Sequence, residues 1–348
     1  MIPVFDGHND FLQRAVEAPD AAVLWTDGDG TGHLDLPRAR AGGFAGGFFA
    51  IWIPVEDGPF DPAAAQMMEN PPFSMPLPPP VPYAAALPHA MAQAKALFAM
   101  ARTGTLTIVR STADIRRAMA EGRVAAILHM EGAEALDTPD ALYLWHTMGL
   151  RSLGPVWSRS TPYGHGVPFA FPASPDTGEG LTQAGRDLVR TANALRVMLD
   201  LSHLNEAGFW DVARLSDAPL VASHSCAHAI AASSRNLTDR QLDAIADSRG
   251  LVGLNYAVSF LRPDGRRVGF DGFDPMLRHL DHLIDRLGED GVALGSDFDG
   301  ALVPNELSAA DRLPALIAAM RAHGYDDGLI RKIASENWIS VLERTWGE

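Results

Sequence analysis

Short apolar runs recur along the chain at 47–53, 124–130, 197–201, 220–222, 251–254 and 292–294. They are continuous rather than alternating, as expected of strands buried on both faces. Between them, at 84–102, 112–121, 139–148, 182–195, 205–215, 238–248 and 274–287, apolar residues return with the spacing of amphipathic helices. Ser111 and Thr238 stand at the heads of two of these stretches, where a side-chain oxygen can accept from the open N–H groups of a first helical turn. Strand alternating with helix predicts an α/β fold with parallel pairing and right-handed crossovers. A single (β/α)₈ TIM-type barrel over residues 1–348 accommodates so many units most economically, because such barrels run well beyond the usual domain size. An open doubly wound sheet is the alternative.

One segment interrupts the rhythm. Residues 54–88 carry Pro71-Pro72, Pro76, Pro78-Pro79-Pro80 and Pro82, and because proline fixes φ and removes a donor, neither helix nor central strand is expected there. Met67, Met68, Phe73, Met75 and Tyr83 give this insertion apolar anchors. It therefore reads as a packed loop that covers a site, meets a second subunit or runs over the surface. The stretch 329–344 has helical periodicity and is expected to pack either on the barrel wall or on a partner.

Composition narrows the partners. A formal net charge of −15, with no Lys/Arg-rich run to offset it, argues against nucleic acid. Cys226 is the only cysteine, so no intrachain disulfide can form. The start Met1-Ile2-Pro3-Val4-Phe5-Asp6-Gly7-His8 shows no basic segment followed by an apolar stretch, so neither a signal peptide nor a membrane span is expected. The expected setting is cytoplasmic.

Candidate chemistry gathers at the ends of the apolar runs. His8 and Asp10 follow the apolar start, and residues two apart on a strand share one side of a sheet. Glu131, His203, His224 and Asp297 each follow an apolar run in the same way. In a barrel those ends converge on one face, where enzymes of this architecture place their chemistry. Imidazole and carboxylate ligands suit zinc, and without paired cysteines the site is read as catalytic rather than structural. Three histidines, one aspartate and one glutamate suffice for two ions if one carboxylate bridges. Such a pair, roughly 3.5 to 4 Å apart, can share a hydroxide, bring its pKa to about 7 and polarise a scissile carbonyl.

The ordered set Asp6-Gly7-His8-Asn9-Asp10, Glu131-Gly132, Ser202-His203, Ser223-His224-Ser225, Ser233-Ser234-Arg235-Asn236 and Ser296-Asp297-Phe298-Asp299-Gly300 resembles the membrane (renal) dipeptidase family, and covers most of the chain. The resemblance implies a (β/α)₈ barrel with a binuclear zinc site: His8 and Asp10 on one ion, His203 and His224 on the other, Glu131 and a hydroxide bridging them. It makes Asp297 the acid/base and Arg235 the grip on the substrate's C-terminal carboxylate, a task that suits a planar, permanently charged fork. It also implies a homodimer. The pattern departs at Gly154-Pro155-Val156-Trp157-Ser158-Arg159, where Trp157 stands at about the place of a family histidine that contacts substrate. His165, in a Gly-flanked loop a few residues on, is the candidate replacement for substrate binding.

Three nearby residues are read as structural. His129 is expected to be packed or hydrogen-bonded rather than a sixth ligand, Cys226 a small buried thiol, and Asp299 an acceptor beside Asp297. The leading function is a zinc dipeptidase acting on small dipeptides, including those with a D-residue at the second position. The alternative keeps the metals and changes the substrate to N-acyl amino acids, cyclic amides or lactones. A catalytically silent barrel would be expected to have lost ligands, and none is visibly missing.

Overall fold

A computed structural model describes residues 1–55 and 62–347 of the protein. Eight parallel strands carry the architecture: β1 (Val4–Asn9), β2 (Phe44–Trp52), β3 (Val124–Glu131), β4 (Leu150–Gly154), β5 (Met198–Leu199), β6 (Val221–Ser225), β7 (Leu251–Asn255) and β8 (Val292–Gly295). β1 to β5 pair side by side in chain order, and β6 to β8 form a second parallel sheet. The short strand Leu106–Ile108 pairs with the first half of β3, before β4 takes up the second half. Single parallel bridges mark both seams, Asp200 with Val221 and Asn9 with Phe298. Across them Leu201 N–H donates to the Val221 carbonyl at 2.8 Å and Asp10 N–H to the Phe298 carbonyl at 2.8 Å. The result is an α/β fold with a curled parallel sheet. The strand order follows the chain and lacks the reversal that defines an open doubly wound sheet.

Each stretch that periodicity marked is helical, whereas Phe11–Glu17, Ala21–Asp27, Leu36–Gly42 and Leu313–His323 are helices outside those stretches, and caps set several of the boundaries. The Ser111 hydroxyl accepts from Asp114 N–H at 3.0 Å to start Thr112–Ala120. Thr238 and Gln241 form a reciprocal capping box at the head of Asp239–Asp247. The C-terminal stretch packs on its own chain: Trp338, Ile339, Leu342 and Trp346 of the helix Asn337–Trp346 join Phe5, Phe48, Ile127, Met198, Val221 and Leu251 in one buried cluster. Trp338 donates its indole N–H to the Leu294 carbonyl at 2.8 Å. Its ring lies 2.5 Å from where a Cβ on Gly7 would stand and 3.0 Å from one on Gly253, so those strands can approach it only without side chains.

The Pro-rich insertion corrects an expectation. Within it lie a helix, Pro62–Met68, an antiparallel edge pair between Phe73–Ser74 and Ala170–Phe171, and the beginning of the long helix Tyr83–Ala101 with Pro88 inside. Pro62 opens its helix, where an N–H would have no partner anyway. Pro88 sits near an N-terminus and removes one ladder bond, a loss offset by the buried face Ala86, Ala90, Ala94, Leu97 and Met100. Gln93 on that helix clamps the end of β2, accepting from Trp52 N–H at 3.0 Å and donating to its carbonyl at 2.6 Å. Of the expected anchors, Met68 and Phe73 are buried, whereas Met67 and Tyr83 are exposed. Residues 56–61 of the insertion, and Glu348, lie outside the described residues. Among the described residues no helix is long and apolar enough to cross a membrane.

Candidate active site

The strand ends converge. His8 is in β1, and Asp10 follows as the N-cap position of the helix Phe11–Glu17. Glu131 ends β3, His224 is in β6, and His203 and Asp297 follow β5 and β8. His203 and Asp297 hold φ values of +66° and +60°. This left-handed backbone is unusual for residues other than glycine, and such outliers are found preferentially at functional sites.

Glu131 sits at the centre. Its Oε1 lies 3.0 Å from His203 Nε2 and 3.3 Å from His224 Nε2, while its Oε2 lies 3.7 Å from His8 Nε2. The Nε2 atoms of His203 and His224 are 3.1 Å apart, and His8 Nε2 is 3.4 Å from Asp10 Oδ2. Three triads, His8 with Glu131 and His224, His8 with Asp10 and Asp297, and His8 with His129 and Asp200, each bring their ligand atoms within 4.8 Å of one another.

The polar chemistry of this cluster fits a cation. Both ring nitrogens of His8 are buried without a hydrogen-bond partner, which is costly unless something else binds them. The far nitrogens of the other two imidazoles are already engaged: His203 Nδ1 with the Ser158 hydroxyl at 2.8 Å, His224 Nδ1 with that of Ser223 at 2.7 Å. Ser223 donates its only hydroxyl proton to Asp200. The His224 contact must therefore be an Nδ1–H donated to Ser223, which leaves the Nε2 lone pair facing Glu131.

Electrostatics agree. Burial pushes His203 and His224 well below the usual imidazole range, keeping them neutral as ligands must be. Burial also drives the Glu131 carboxyl well up, against the opposing pull of His8, with Asp10 and Asp297 adding to the rise. His8 goes the other way. Burial lowers its pKa, but Glu131 and Asp10 outweigh that and raise it to about 10. The carboxylates thus impose a strong demand for positive charge at this point.

Asp297 is half-buried at the cleft; desolvation and Asp10 raise its pKa, while His8, a hydrogen bond from Asn255 Nδ2 at 2.9 Å and Arg235 pull it down. Gly300 lets Asp10 and Asp297 come together, since a Cβ there would lie 1.9 Å from Asp10 Oδ2 and 2.6 Å from Asp297 Oδ1. Arg235 is 3% exposed. It donates from Nη2 to the His224 carbonyl at 3.1 Å, lies 5.4 Å from the centre of the Phe260 ring, and keeps an unpartnered Nε.

Above the cluster opens a cleft lined by Asp10, Glu131, His203 and Asp297 and walled by Trp52, Trp157, Phe169 and Phe260. Trp157 therefore contributes to the cleft itself, its ring 5.7 Å from His203 and 5.2 Å from Trp52. Behind it Arg159 and Glu134 form a fully buried ion pair at 2.8 Å. His165 is not brought to the cleft: it sits in the hairpin Ser160–Thr161 with Gly164–His165, its Nδ1 bonded to the Ser160 hydroxyl at 2.9 Å. His129 is bonded through Nδ1 to Ser152 at 2.9 Å, with Nε2 3.6 Å from Asp200. Cys226 is buried, its thiol facing the Asn255 carbonyl. Asp299 accepts from His33 N–H and pairs with Arg14.

Sequence reasoning missed Asn255, Ser158, Ser223 and Asp200. Asn255 offered one signal, a polar residue closing the apolar run 251–254, the same placement that exposed Glu131.

The sequence pattern of the membrane dipeptidase family, peptidase family M19, matches residues 1–346. A metallo peptidase from Rhodobacter sphaeroides, solved with a phosphinate mimic of the dipeptide L-Ala-D-Ala, is 60% identical, superimposes with a TM-score of 0.97, and is covered over 99% of both chains. The dipeptidase AC, a metallo peptidase of family M19, is likewise 60% identical, with a TM-score of 0.96 over 100% of this chain and 99% of its own. A Klebsiella pneumoniae protein described as lying in the pqqA 5′ region is 47% identical over 70% of this chain and 90% of its own length. This chain accordingly belongs to the membrane dipeptidase family and is a metallo-dipeptidase, a hydrolase of the peptide bond.

Proposed function

We propose that the protein is a zinc-dependent dipeptidase with two ions per chain, acting on small dipeptides that include those with a D-residue at the second position. The observation that carries this reading is the convergence of three buried imidazoles on the two oxygens of Glu131, with orphaned nitrogens on His8. His8 and Asp10 would hold one ion, His203 and His224 the other, and Glu131 both. The D-residue is supported by the L-Ala-D-Ala mimic bound by the Rhodobacter sphaeroides neighbour. A metal pair of this kind ionises water near neutral pH and polarises the scissile carbonyl.

The chain's own residues supply the rest. Asp297, which accepts a hydrogen bond from Asn255, would take a proton from the attacking water and deliver it to the leaving amine. Arg235, buried and anchored through the His224 carbonyl, is assigned the C-terminal carboxylate. The aromatic wall excludes water and accepts apolar side chains. His165, tied to Ser160, would need to leave that bond to reach a substrate. The two sheets are read as one closed (β/α)₈ barrel, supported by a bridge at each seam. The expected setting is a cytoplasmic homodimer.

Amine release across L-Xaa-L-Xaa and L-Xaa-D-Xaa dipeptides, with N-acetylated versions alongside, tests the proposal on zinc-loaded protein. Cleavage of free dipeptides of both series supports it. Silence on free dipeptides alongside hydrolysis of acyl amino acids, cyclic amides or lactones would refute it.

A further inference from the structure

Arg267 differs from its neighbours on the loop after the helix Val258–Leu261. Arg262 grips Asp264 through Nε and Nη2 at 2.8 and 2.6 Å, and Arg266 Nε donates to the Glu69 carbonyl at 2.9 Å. Arg267 has its backbone pinned, N–H to the Met68 carbonyl at 2.9 Å, and its side chain lines the cleft. Among the described residues that half-buried guanidinium makes no hydrogen bond or ion pair. Burial lowers its pKa, with only Glu69 opposing. A partly desolvated fork at the cleft wall, with a carboxylate near but none bonded to it, is free to bind an anion that enters the cleft.

The other charges of the cleft define which anion. Asp10, Glu131 and Asp297 belong to the reacting end with His203; Trp52, Trp157, Phe169 and Phe260 form the aromatic wall, and Gln13 and Ser259 are its polar, uncharged members, which leaves Arg267 as the cationic side chain of the lining. Arg235 is almost fully buried and bonded next to the metal-site histidines, as suits a main-chain carboxylate close to the reacting amide. Arg267 reaches the cleft from a partly exposed loop, beside Met68 of the insertion helix Pro62–Met68.

We propose that Arg267 is a specificity-determining residue that binds a carboxylate on a side chain of the dipeptide, so that acidic dipeptides are preferred over their neutral isosteres. The proposal rests on the dipeptidase reading above. A charge-assisted hydrogen bond of this kind favours the acid by about 10- to 100-fold.

The test compares kcat/KM for matched pairs, Ala-Asp with Ala-Asn in both L,L and L,D forms and Asp-Ala with Asn-Ala, in wild type, Arg267→Met and Arg267→Lys. Thermal melting checks that each variant is folded. The expected result is a wild-type preference for the acid in at least one pair, abolished in Arg267→Met and partly kept in Arg267→Lys. Equal acid-to-amide ratios in wild type and Arg267→Met would overturn the proposal. So would a uniform fall across all pairs, which leaves the ratio unchanged and assigns Arg267 to the main-chain carboxylate. Turnover of neutral dipeptides without preference overturns this inference and leaves the dipeptidase standing; no dipeptide turnover at all overturns both.

Discussion

Gly300→Ala is the sharpest steric probe of the site. Gly300 is not among the positive-φ glycines, so alanine imposes no backbone strain of its own. The added methyl would lie 1.9 Å from Asp10 Oδ2 and 2.6 Å from Asp297 Oδ1, and contacts below 3.0 Å essentially never occur. The Asp10 oxygen must therefore move by about 1.1 Å to reach that limit. A misplacement of about 1 Å at a reacting site costs roughly 100-fold in rate, and disturbing the groups that orient ligands costs about 10- to 100-fold in metal affinity. The variant should fold, because the atoms displaced are the ends of two carboxylate side chains. Metal affinity measured by competition with a chelator should fall by that range, and kcat/KM at saturating metal by about 100-fold. A variant that binds metal and turns over within threefold of wild type would refute the reasoning.

The remaining predictions address orientation, stability and pH. Ser158→Ala removes the partner of His203 Nδ1 and should weaken metal binding by about 10- to 100-fold, read in the same chelator competition; an unchanged affinity would separate His203 from the metal site. Trp338→Ala empties a fully buried position beneath the strands and should cost about 3 to 5 kcal/mol in denaturant unfolding. His33 accepts Asp299 N–H through Nδ1, and burial, with Arg14 and Arg38, lowers its pKa to about 4. Its folded pKa lies below the unfolded value, so stability it contributes above pH 6.5 is lost as the pH falls towards 4. Asp299, raised to about 6 mainly by burial, contributes with the opposite sign, so the clean readout is the difference between wild type and His33→Gln. That difference should narrow by about 1 to 2 kcal/mol from pH 7.5 to 5 after allowance for partial exposure, and a pH-independent difference would contradict the assignment.

Much of the strand and helix pattern was legible because burial on both faces leaves unbroken apolar runs, and one-sided burial leaves a helical stripe. β4 (Leu150–Gly154) escaped because Arg151 and Ser152 break its run, with Ser152 buried as the partner of His129. The convergence of the candidate ligands was legible because each lies in the last residues of a strand or just beyond it, where chain position predicts that side chains meet. Their supporting groups were not, since Ser158 reaches His203 across 45 residues and Asn255 reaches Asp297 across 42. Proline misled the reading of the insertion, because a residue's cost depends on its place in a helix, which composition alone does not give. The Ser160 partner of His165 was likewise not legible, because it depends on the hairpin Ser160–Thr161 with Gly164–His165.

Whether a pair of ions sits at Glu131 is read by anomalous diffraction at the zinc edge on crystals of the zinc-loaded protein. Two peaks are expected, one against His8 and Asp10, the other against His203 and His224, each beside Glu131. A single peak, or density seated instead between His129 and Asp200, would contradict that arrangement.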